Sequence, residues 1–205
     1  MSTLKQNPQI NRSRHMLQDA LIELLKEKKN HKITVTDIVT RAGLSRTTFY
    51  AHFGYIEEII EQLLEELMAK MISDSFSNVN SVPSSTIGNP YPPSPVQERI
   101  AISNLVRHWQ NNHSLYRVFE EAGFGKIILT KYKEQHRLFF EEKIKERLSY
   151  SPSKEMIDYY LVYISNTQIG ILQYWLATNM ELPVETLIDY LTVLTSPGQF
   201  MKLLK

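Results

Sequence analysis

The chain has 205 residues, of which 42% are hydrophobic and 22% charged, a composition that is typical of a globular protein and excludes disorder throughout. It contains no cysteine, which excludes disulfide bonds, thiolate nucleophiles and cysteine-based zinc sites. Because no apolar segment has the length of a signal peptide or a membrane span, we expect a cytoplasmic protein with no membrane partner.

The net charge of +1 conceals an uneven distribution along the chain. Residues 1–53 hold nine basic and four acidic residues, a balance of +5, whereas residues 54–205 hold 14 basic and 18 acidic residues, a balance of −4. A positive segment favours contact with a polyanion such as nucleic acid. The basic stretch from Lys26 to Lys32 fits equally well as the solvated end of a helix.

The N-terminal part of the sequence predicts three short helices. Apolar residues recur at helical spacing in residues 15–25 and again in residues 34–42, where Gly43 ends the pattern. Ser45 then opens a second short run that ends near residue 53. This is a helix, a tight turn and a helix, and the pair must pack on the first helix because neither can bury a face alone. An exposed second helix in such a pair can enter the major groove of DNA.

A defined order of residues runs through this helix, turn and helix. It consists of Thr34, Val35, Asp37, Ile38, Ala42, Gly43, Leu44, Ser45, Thr48, Phe49, Tyr50, His52 and Phe53. The order resembles the DNA-binding domain of TetR/AcrR transcriptional regulators, and the match is specific because a turn, a cap and an aromatic-His-Phe ending occur at fixed offsets. The resemblance implies that residues 1–54, with an N-terminal arm, form a three-helix domain that binds double-stranded DNA.

Caps are predicted at the ends of both helices of the pair. Thr34 or Thr36 can cap the first of them, where a hydroxyl and free N–H groups can bind a phosphate. The resemblance favours Thr34 as the phosphate contact. We expect Asp37 to stabilise the same helix end and Gly43 to take the left-handed conformation after it. Ser45 is expected to cap the recognition helix and to face DNA in the docking that the resemblance implies.

The recognition helix holds the candidates for reading bases, which are Arg46, Thr47 and Ala51. Arg46 can bind guanine through two hydrogen bonds, worth about 1 to 3 kcal/mol of discrimination, while Thr47 and Ala51 can contact a thymine methyl group. The resemblance assigns Tyr50 and His52 to phosphates, and a packing or capping role is the alternative for His52.

One position departs from the family pattern. Ile56 stands where the family commonly has a lysine that opens the fourth helix and contacts phosphate. Tyr55 can substitute for that lysine through its hydroxyl group. We therefore predict that DNA binding depends more on the side chains around Arg46 and Tyr50.

The rest of the sequence predicts an all-α protein, because no segment shows strand periodicity. Residues 55–76 predict a long connecting helix, and residues 77–95, rich in Ser, Asn and Pro, predict a flexible linker, with a lid over a pocket as the alternative. Residues 96–205 predict further helices that form a regulatory domain for ligand binding and dimerisation.

The last two predicted helices have broad apolar surfaces. Residues 156–176 are apolar around most of the helix circumference, so this helix needs cover on more than one side, from a large core or from a second subunit. The family pairs its last two helices with their symmetry mates, and the resemblance implies a homodimer. A two-fold dimer places two recognition helices about 34 to 36 Å apart, which matches a palindromic operator.

Aromatic residues of the C-terminal half can line a pocket between helices, although each taken alone fits a core position. The candidates are Trp109, Tyr116, Phe119, Phe139, Tyr163 and Trp175, with His108, His136, Asn166 and Gln168 as polar partners. The sequence has no phosphate loop, dinucleotide fingerprint or metal-ligand spacing. We therefore expect no catalytic residues, no metal and no cofactor.

Two hypotheses follow for the function. In the first, a homodimeric repressor binds a palindromic operator and is released by a small hydrophobic or amphipathic effector. In the second, the C-terminal domain docks a protein partner such as a kinase subunit, because this part of the chain resembles regulators that work beside a dihydroxyacetone kinase. A closed cavity with buried polar groups favours the first hypothesis, and a filled core with an exposed apolar patch favours the second.

Overall fold

The computed structural model describes residues 8–27, 33–76, 95–147 and 153–195. Within these ranges the chain forms helices and no strand, which confirms the all-α prediction. The helices are α1 (Pro8–Glu27), α2 (Val35–Ala42), α3 (Arg46–His52), α4 (Ile56–Phe76), α5 (Pro95–Asn111), α6 (His113–Glu121), α7 (Gly125–Arg147), α8 (Lys154–Ala177) and α9 (Val184–Thr195).

Proline residues stand at the start of two of these helices. α1 begins at Pro8 and α5 at Pro95, where the missing proline N–H costs nothing because the first N–H groups of a helix have no partner within it. α1 therefore extends into residues 1–9, the polar segment that contains Pro8 and is predicted to form the N-terminal arm. Residues 1–7 of that arm, most of the basic stretch and residues 77–94 of the predicted linker lie outside the described residues.

The chain divides into two compact units. The first contains residues 1–64 together with residues 114–125, and the second contains residues 65–113 together with residues 126–205. α4 therefore contributes its first turns to one unit and the rest to the other. Residues 114–121 of α6 belong to the first unit, whereas His113 at its start belongs to the second.

The first unit has a small apolar core. α1 packs on α2 and on α3, and α2 packs on α3. The buried side chains include Leu17, Leu21, Ile38 and Phe49 of these helices and Phe53, which directly follows α3. Phe49 is completely buried, with its ring centroid 5.3 Å from that of Tyr50 and 6.0 Å from that of Phe53. Burial of the two phenylalanines fixes which face of α3 points outward.

In the second unit, α9 packs on α5 and on α8. The core includes Trp109, whose indole N–H donates to the sulfur of Met71 at 3.2 Å. On the surface, Arg107 pairs with Glu185 at 2.7 Å, and Arg99 pairs with Asp189. Such exposed ion pairs contribute about 0 to 1 kcal/mol each, so apolar packing holds α5 against α9. In the described ranges, no helix combines the length with the hydropathy that a membrane span requires.

Candidate nucleic-acid interface

The N-terminus of α2 is closed by a reciprocal cap. Thr34 lies in extended conformation, and its hydroxyl oxygen accepts from the amide of Asp37 at 3.2 Å, while the amide of Thr34 donates to the carboxylate of Asp37 at 2.9 Å. The Thr34 hydroxyl also donates to that carboxylate at 2.7 Å. The side chain predicted to hold a phosphate is thus engaged with Asp37, and a phosphate at this end would meet the amides of Val35 and Thr36.

The turn between α2 and α3 has the geometry that its sequence predicts. Gly43 has φ +66° and ψ +31°, a left-handed conformation that is unfavourable for residues with a side chain. Its amide donates to the carbonyl of Thr40 at 3.2 Å, and the amide of Leu44 donates to the carbonyl of Val39 at 2.9 Å. The turn therefore fixes the direction in which α3 leaves α2.

Ser45 caps α3 as predicted from the sequence. Its hydroxyl oxygen accepts from the amide of Thr48 at 3.0 Å, and the two hydroxyl groups lie 2.9 Å apart. This cap satisfies one of the otherwise unpaired amides at the start of a seven-residue helix that is too short to be stable alone. Thr48 is the partner that the sequence analysis did not assign, although its spacing of three residues from Ser45 is the usual signal for such a cap.

The two faces of α3 separate packing from recognition. Phe49 and Phe53 point into the core, whereas the exposed face presents four of the residues predicted to contact DNA, Arg46, Thr47, Tyr50 and Ala51. These four have the spacing i, i+1, i+4 and i+5, which places them on one side of a helix. Tyr50 is 60% exposed. The other predicted contacts Thr34, Thr36, Ser45 and Tyr55 are also exposed, and His52 is half-buried.

The guanidinium of Arg46 has a partner within the protein. Its Nη2 donates to the hydroxyl oxygen of Thr36 at 2.5 Å, across the turn between α2 and α3. Both side chains are exposed, so this bond stands at the surface that faces solvent. The two predicted DNA contacts are therefore coupled to each other.

His52 is oriented toward the protein. Its Nε2 lies 2.7 Å from the hydroxyl oxygen of Ser13 on α1. Burial, with the charge of Arg14 as a smaller cause, lowers the pKa of His52 below its usual value. A neutral imidazole bonded to α1 fits the alternative packing role that the sequence analysis left open for this residue.

The first turn of α4 carries the carboxylate of Glu58, two residues after Ile56. The amide of Gly54 donates to Oε2 of Glu58 at 2.6 Å. Tyr55 stands exposed directly before the helix, and Ile56 is half-buried. The helix end is thus satisfied by an acidic side chain of the same helix, which opposes the approach of a phosphate.

One basic residue of α2 serves the fold. Arg41 donates to both carboxylate oxygens of Glu27, at 2.9 and 2.6 Å, and to Glu23 at 3.2 Å. Bonding to Glu27 first and Glu23 second raises the pKa of Arg41 above its usual value. The pair fixes α2 on α1, and the positive charge of Arg41 is neutralised by these two acids.

The residues predicted to line a pocket have different surroundings. Trp109 and Trp175 are buried, and the indole N–H of Trp175 donates to the carbonyl of Leu182 at 2.8 Å. Tyr163 is exposed and donates to the carbonyl of Leu194 at 2.7 Å. Tyr116 and Phe119 are buried in the first unit, and the side chain of Phe139 lies outside the described part of the structure.

A cluster of buried polar side chains lies between α7 and α8. The hydroxyl of Tyr132 donates to Oε1 of Gln168 at 2.5 Å, and the hydroxyl oxygen of Ser165 lies 3.5 Å from Nδ1 of His136. Burial lowers the pKa of His136 to about 4 and raises that of Tyr132. Both side chains are therefore neutral near pH 7. In the described part of the chain no three His, Asp or Glu side chains are grouped as a metal ion would require.

The first unit has the features of a DNA-binding helix-turn-helix domain, namely a capped helix, a left-handed turn and a short helix with one buried and one exposed face. Two family models match the chain. The model described as bacterial regulatory proteins, tetR family, matches residues 17–63, and the model described as transcriptional regulator C-terminal region matches residues 100–197. The chain belongs to the TetR family of transcriptional regulators, which are not enzymes.

The chain is similar to the HTH-type transcriptional regulator YxbF of Bacillus subtilis strain 168, with 25% identity over 177 residues. The match covers 86% of this chain and 42% of YxbF, so the chain spans about two fifths of the length of this curated relative.

Several solved structures share the fold. A TetR regulator from Streptococcus agalactiae aligns with a TM-score of 0.58 and 20% identity, over 92% of this chain and 96% of the other. The dihydroxyacetone kinase operon activator DhaS aligns with a TM-score of 0.54 and 19% identity, over 89% and 93%. FadR from Bacillus subtilis in complex with stearoyl-CoA aligns with a TM-score of 0.55 and 16% identity, over 90% of this chain and 98% of the other.

Proposed function

We propose that the protein is a repressor that binds a palindromic double-stranded DNA operator as a homodimer and is released by a small hydrophobic or amphipathic effector. The observation that carries the proposal is the exposed face of α3, which holds Arg46, Thr47, Tyr50 and Ala51 on a helix that Phe49 anchors in the core. The proposal places the protein in the cytoplasm together with the DNA that it regulates.

Each side chain on this face suits one part of a duplex. The guanidinium of Arg46 matches the N7 and O6 acceptors of guanine, and the methyl groups of Thr47 and Ala51 match the methyl group of thymine. The phenol of Tyr50 suits a phosphate oxygen, as do the exposed hydroxyl groups of Ser45 and Tyr55.

An exposed apolar stripe on α8 supports the homodimer. Tyr159, Val162, Tyr163 and Tyr174 recur at helical spacing on one side of α8, and Tyr159 and Tyr174 are 75% and 72% exposed. Tyr190, Val193 and Leu194 form a similar exposed set on α9. Large exposed apolar surfaces of this kind mark contacts between proteins, and a second copy of the same helices would cover them.

Gly170 lies within this stripe and leaves room for the helix of a partner to approach α8 closely. It is exposed in the middle of α8, between Tyr163 and Tyr174, and a Cβ atom placed there would meet no atom of the chain within 4 Å. Because an interior glycine costs a helix about 1 kcal/mol relative to alanine, a neighbouring helix from a partner is the reason that we propose for it.

The buried polar cluster supports a small effector. Tyr132, His136, Ser165 and Gln168 are neutral polar groups within apolar surroundings between α7 and α8. A few such groups in an apolar site give orientation to an amphipathic ligand. FadR from Bacillus subtilis, which shares the fold, is solved with stearoyl-CoA, a ligand of this amphipathic type.

A protein partner is the second candidate for the signal. The exposed stripe on α8 and α9 is also a surface on which another protein could dock, and DhaS, a fold relative, is described as an activator of a dihydroxyacetone kinase operon. The two candidates differ in what carries the signal, a small molecule bound near the polar cluster of α7 and α8 or a different protein bound at the exposed surface.

The DNA-binding proposal is tested by enriching a randomised duplex library on the full-length protein and sequencing the bound fraction. We expect a palindromic motif with guanine at one position of each half-site. Arg46→Ala should abolish the preference for that guanine while retaining weak binding to any duplex. Enrichment of no motif by the unaltered protein would contradict the proposal.

The dimer is tested by sedimentation of the full chain with and without the enriched duplex. We expect a mass of two chains, and Tyr174→Asp should shift it toward one chain because a charge would be buried in the contact. Val96→Asp, an exposed apolar side chain of α5 outside the stripe, is the matched control and should leave the mass unchanged. A single-chain mass for the DNA-bound protein would exclude the homodimer.

A further inference from the structure

Thr36 and Arg46 form a contact that neither side chain needs for the fold. Both are exposed, the hydroxyl of Thr36 is not the α2 cap because Thr34 fills that role, and the guanidinium of Arg46 packs in no core. The hydrogen bond from Nη2 of Arg46 to the Thr36 hydroxyl nevertheless joins α2 to the first residue of α3.

The donor and the acceptor of this hydrogen bond both belong to helix turns whose backbone is held by a cap. The reciprocal cap of Thr34 and Asp37 defines the first turn of α2, where Thr36 lies, and Arg41 anchors α2 to α1. At the other end, the Ser45 cap defines the first turn of α3, where Arg46 lies. A hydroxyl acceptor on a fixed turn therefore restricts an arginine that would otherwise sample many rotamers.

We propose that Thr36 is a positioning residue, which fixes the guanidinium of Arg46 for base reading and thereby sets the sharpness of the base preference. This inference rests on the proposed DNA-binding function. It differs from a phosphate contact, which would add affinity for every sequence alike.

The donor count of arginine permits this arrangement. A guanidinium has five N–H donors, of which Thr36 receives one, and the remaining four exceed the two that guanine N7 and O6 accept. Fixing the group before binding removes part of the entropy cost of ordering it in the groove. The gain in affinity therefore arises only at sites where Arg46 contacts its preferred base.

The experiment compares library enrichment for the full chain and for Thr36→Val, Thr36→Ser and Arg46→Ala. Valine keeps the shape of threonine and removes the acceptor, so Thr36→Val should reduce the preference for the base that Arg46 reads by about threefold to tenfold, the range expected for one lost hydrogen bond. Serine keeps the hydroxyl and should retain the preference. In the Arg46→Ala background, Thr36→Val should cause no further loss.

The salt dependence of affinity separates positioning from a phosphate contact. For a positioning residue, Thr36→Val leaves the affinity for unrelated duplexes and its salt dependence unchanged. A uniform loss of affinity for all duplexes, with the base preference intact, would overturn the inference and assign Thr36 to a phosphate. If Arg46→Ala itself left the base preference unchanged, the assignment of α3 under the proposed function would fall, and the inference with it. Thermal melting of each variant establishes that folding is retained.

Discussion

We expect Glu58 to stabilise the protein and to lower its affinity for DNA. Its carboxylate accepts from the amide of Gly54 at 2.6 Å, beside the N-terminus of α4. Replacing Glu58 with alanine removes the acceptor from that amide and removes a negative charge from the helix end. The substitution should therefore lower the stability of the fold and raise the affinity for DNA.

The loss of stability follows from the local interactions. A hydrogen bond to a charged acceptor on an exposed helix end, together with its favourable interaction with the helix dipole, is worth about 1 kcal/mol. Glu58→Ala should therefore lower the free energy of unfolding by about that amount. Glu57→Ala, the matched control in the same turn, removes an equal charge and leaves the Gly54 bond in place, so its loss should be smaller.

The gain in DNA affinity has a long-range and a local part. A charge removed about 8 Å from a phosphate in water relieves about 0.5 kcal/mol of repulsion, which is about twofold in affinity and applies to both variants. Only Glu58→Ala also frees the amide of Gly54 for a phosphate, so its affinity should rise about fivefold to tenfold. The measurements are urea unfolding and fluorescence anisotropy on the enriched duplex. Equal gains for the two variants, or a loss for Glu58→Ala, would refute the reasoning.

Three further predictions concern the cores and the dimer. Phe49→Ala should cost about 3 to 5 kcal/mol in urea unfolding because the ring is fully buried, and Phe49→Leu should cost less. As the pH falls from about 6.5 to about 4, an unfolded chain protonates His136 while the buried side chain stays neutral, so stability should drop by about 3 kcal/mol, and His136→Leu should remove this part of the pH dependence of unfolding. Gly170→Leu should leave the chain folded, because the site is open, and should weaken the dimer in sedimentation.

The sequence predicted those features of the site that arise between residues close together in the chain, namely the helix caps and the turn. Gly43 adopts the left-handed turn and Ser45 caps α3, each as its position in the sequence indicates, and α2 is capped by Thr34, one of the two candidates that the sequence offers. The burial of Phe49 beside the exposed Tyr50 is the pattern that a helix packed on one side produces.

Contacts between distant segments were not predictable in the same way. The bond of His52 to Ser13 joins residues 39 positions apart, and the ion pair of Arg41 with Glu27 joins residues 14 apart. Periodicity defines the face on which a side chain lies but not the partner that it meets on another helix.

The central claim is that α3 reads DNA in the major groove, once in each half of a palindrome. Methylation of guanine N7 in the enriched duplex tests it directly, because that atom lies in the major groove and is the acceptor proposed for Arg46. We predict that methylation blocks binding at symmetric guanines in two half-sites about 10 base pairs apart, and that Arg46→Ala abolishes this interference. Interference at no guanine, or the same interference with Arg46→Ala, would contradict the claim.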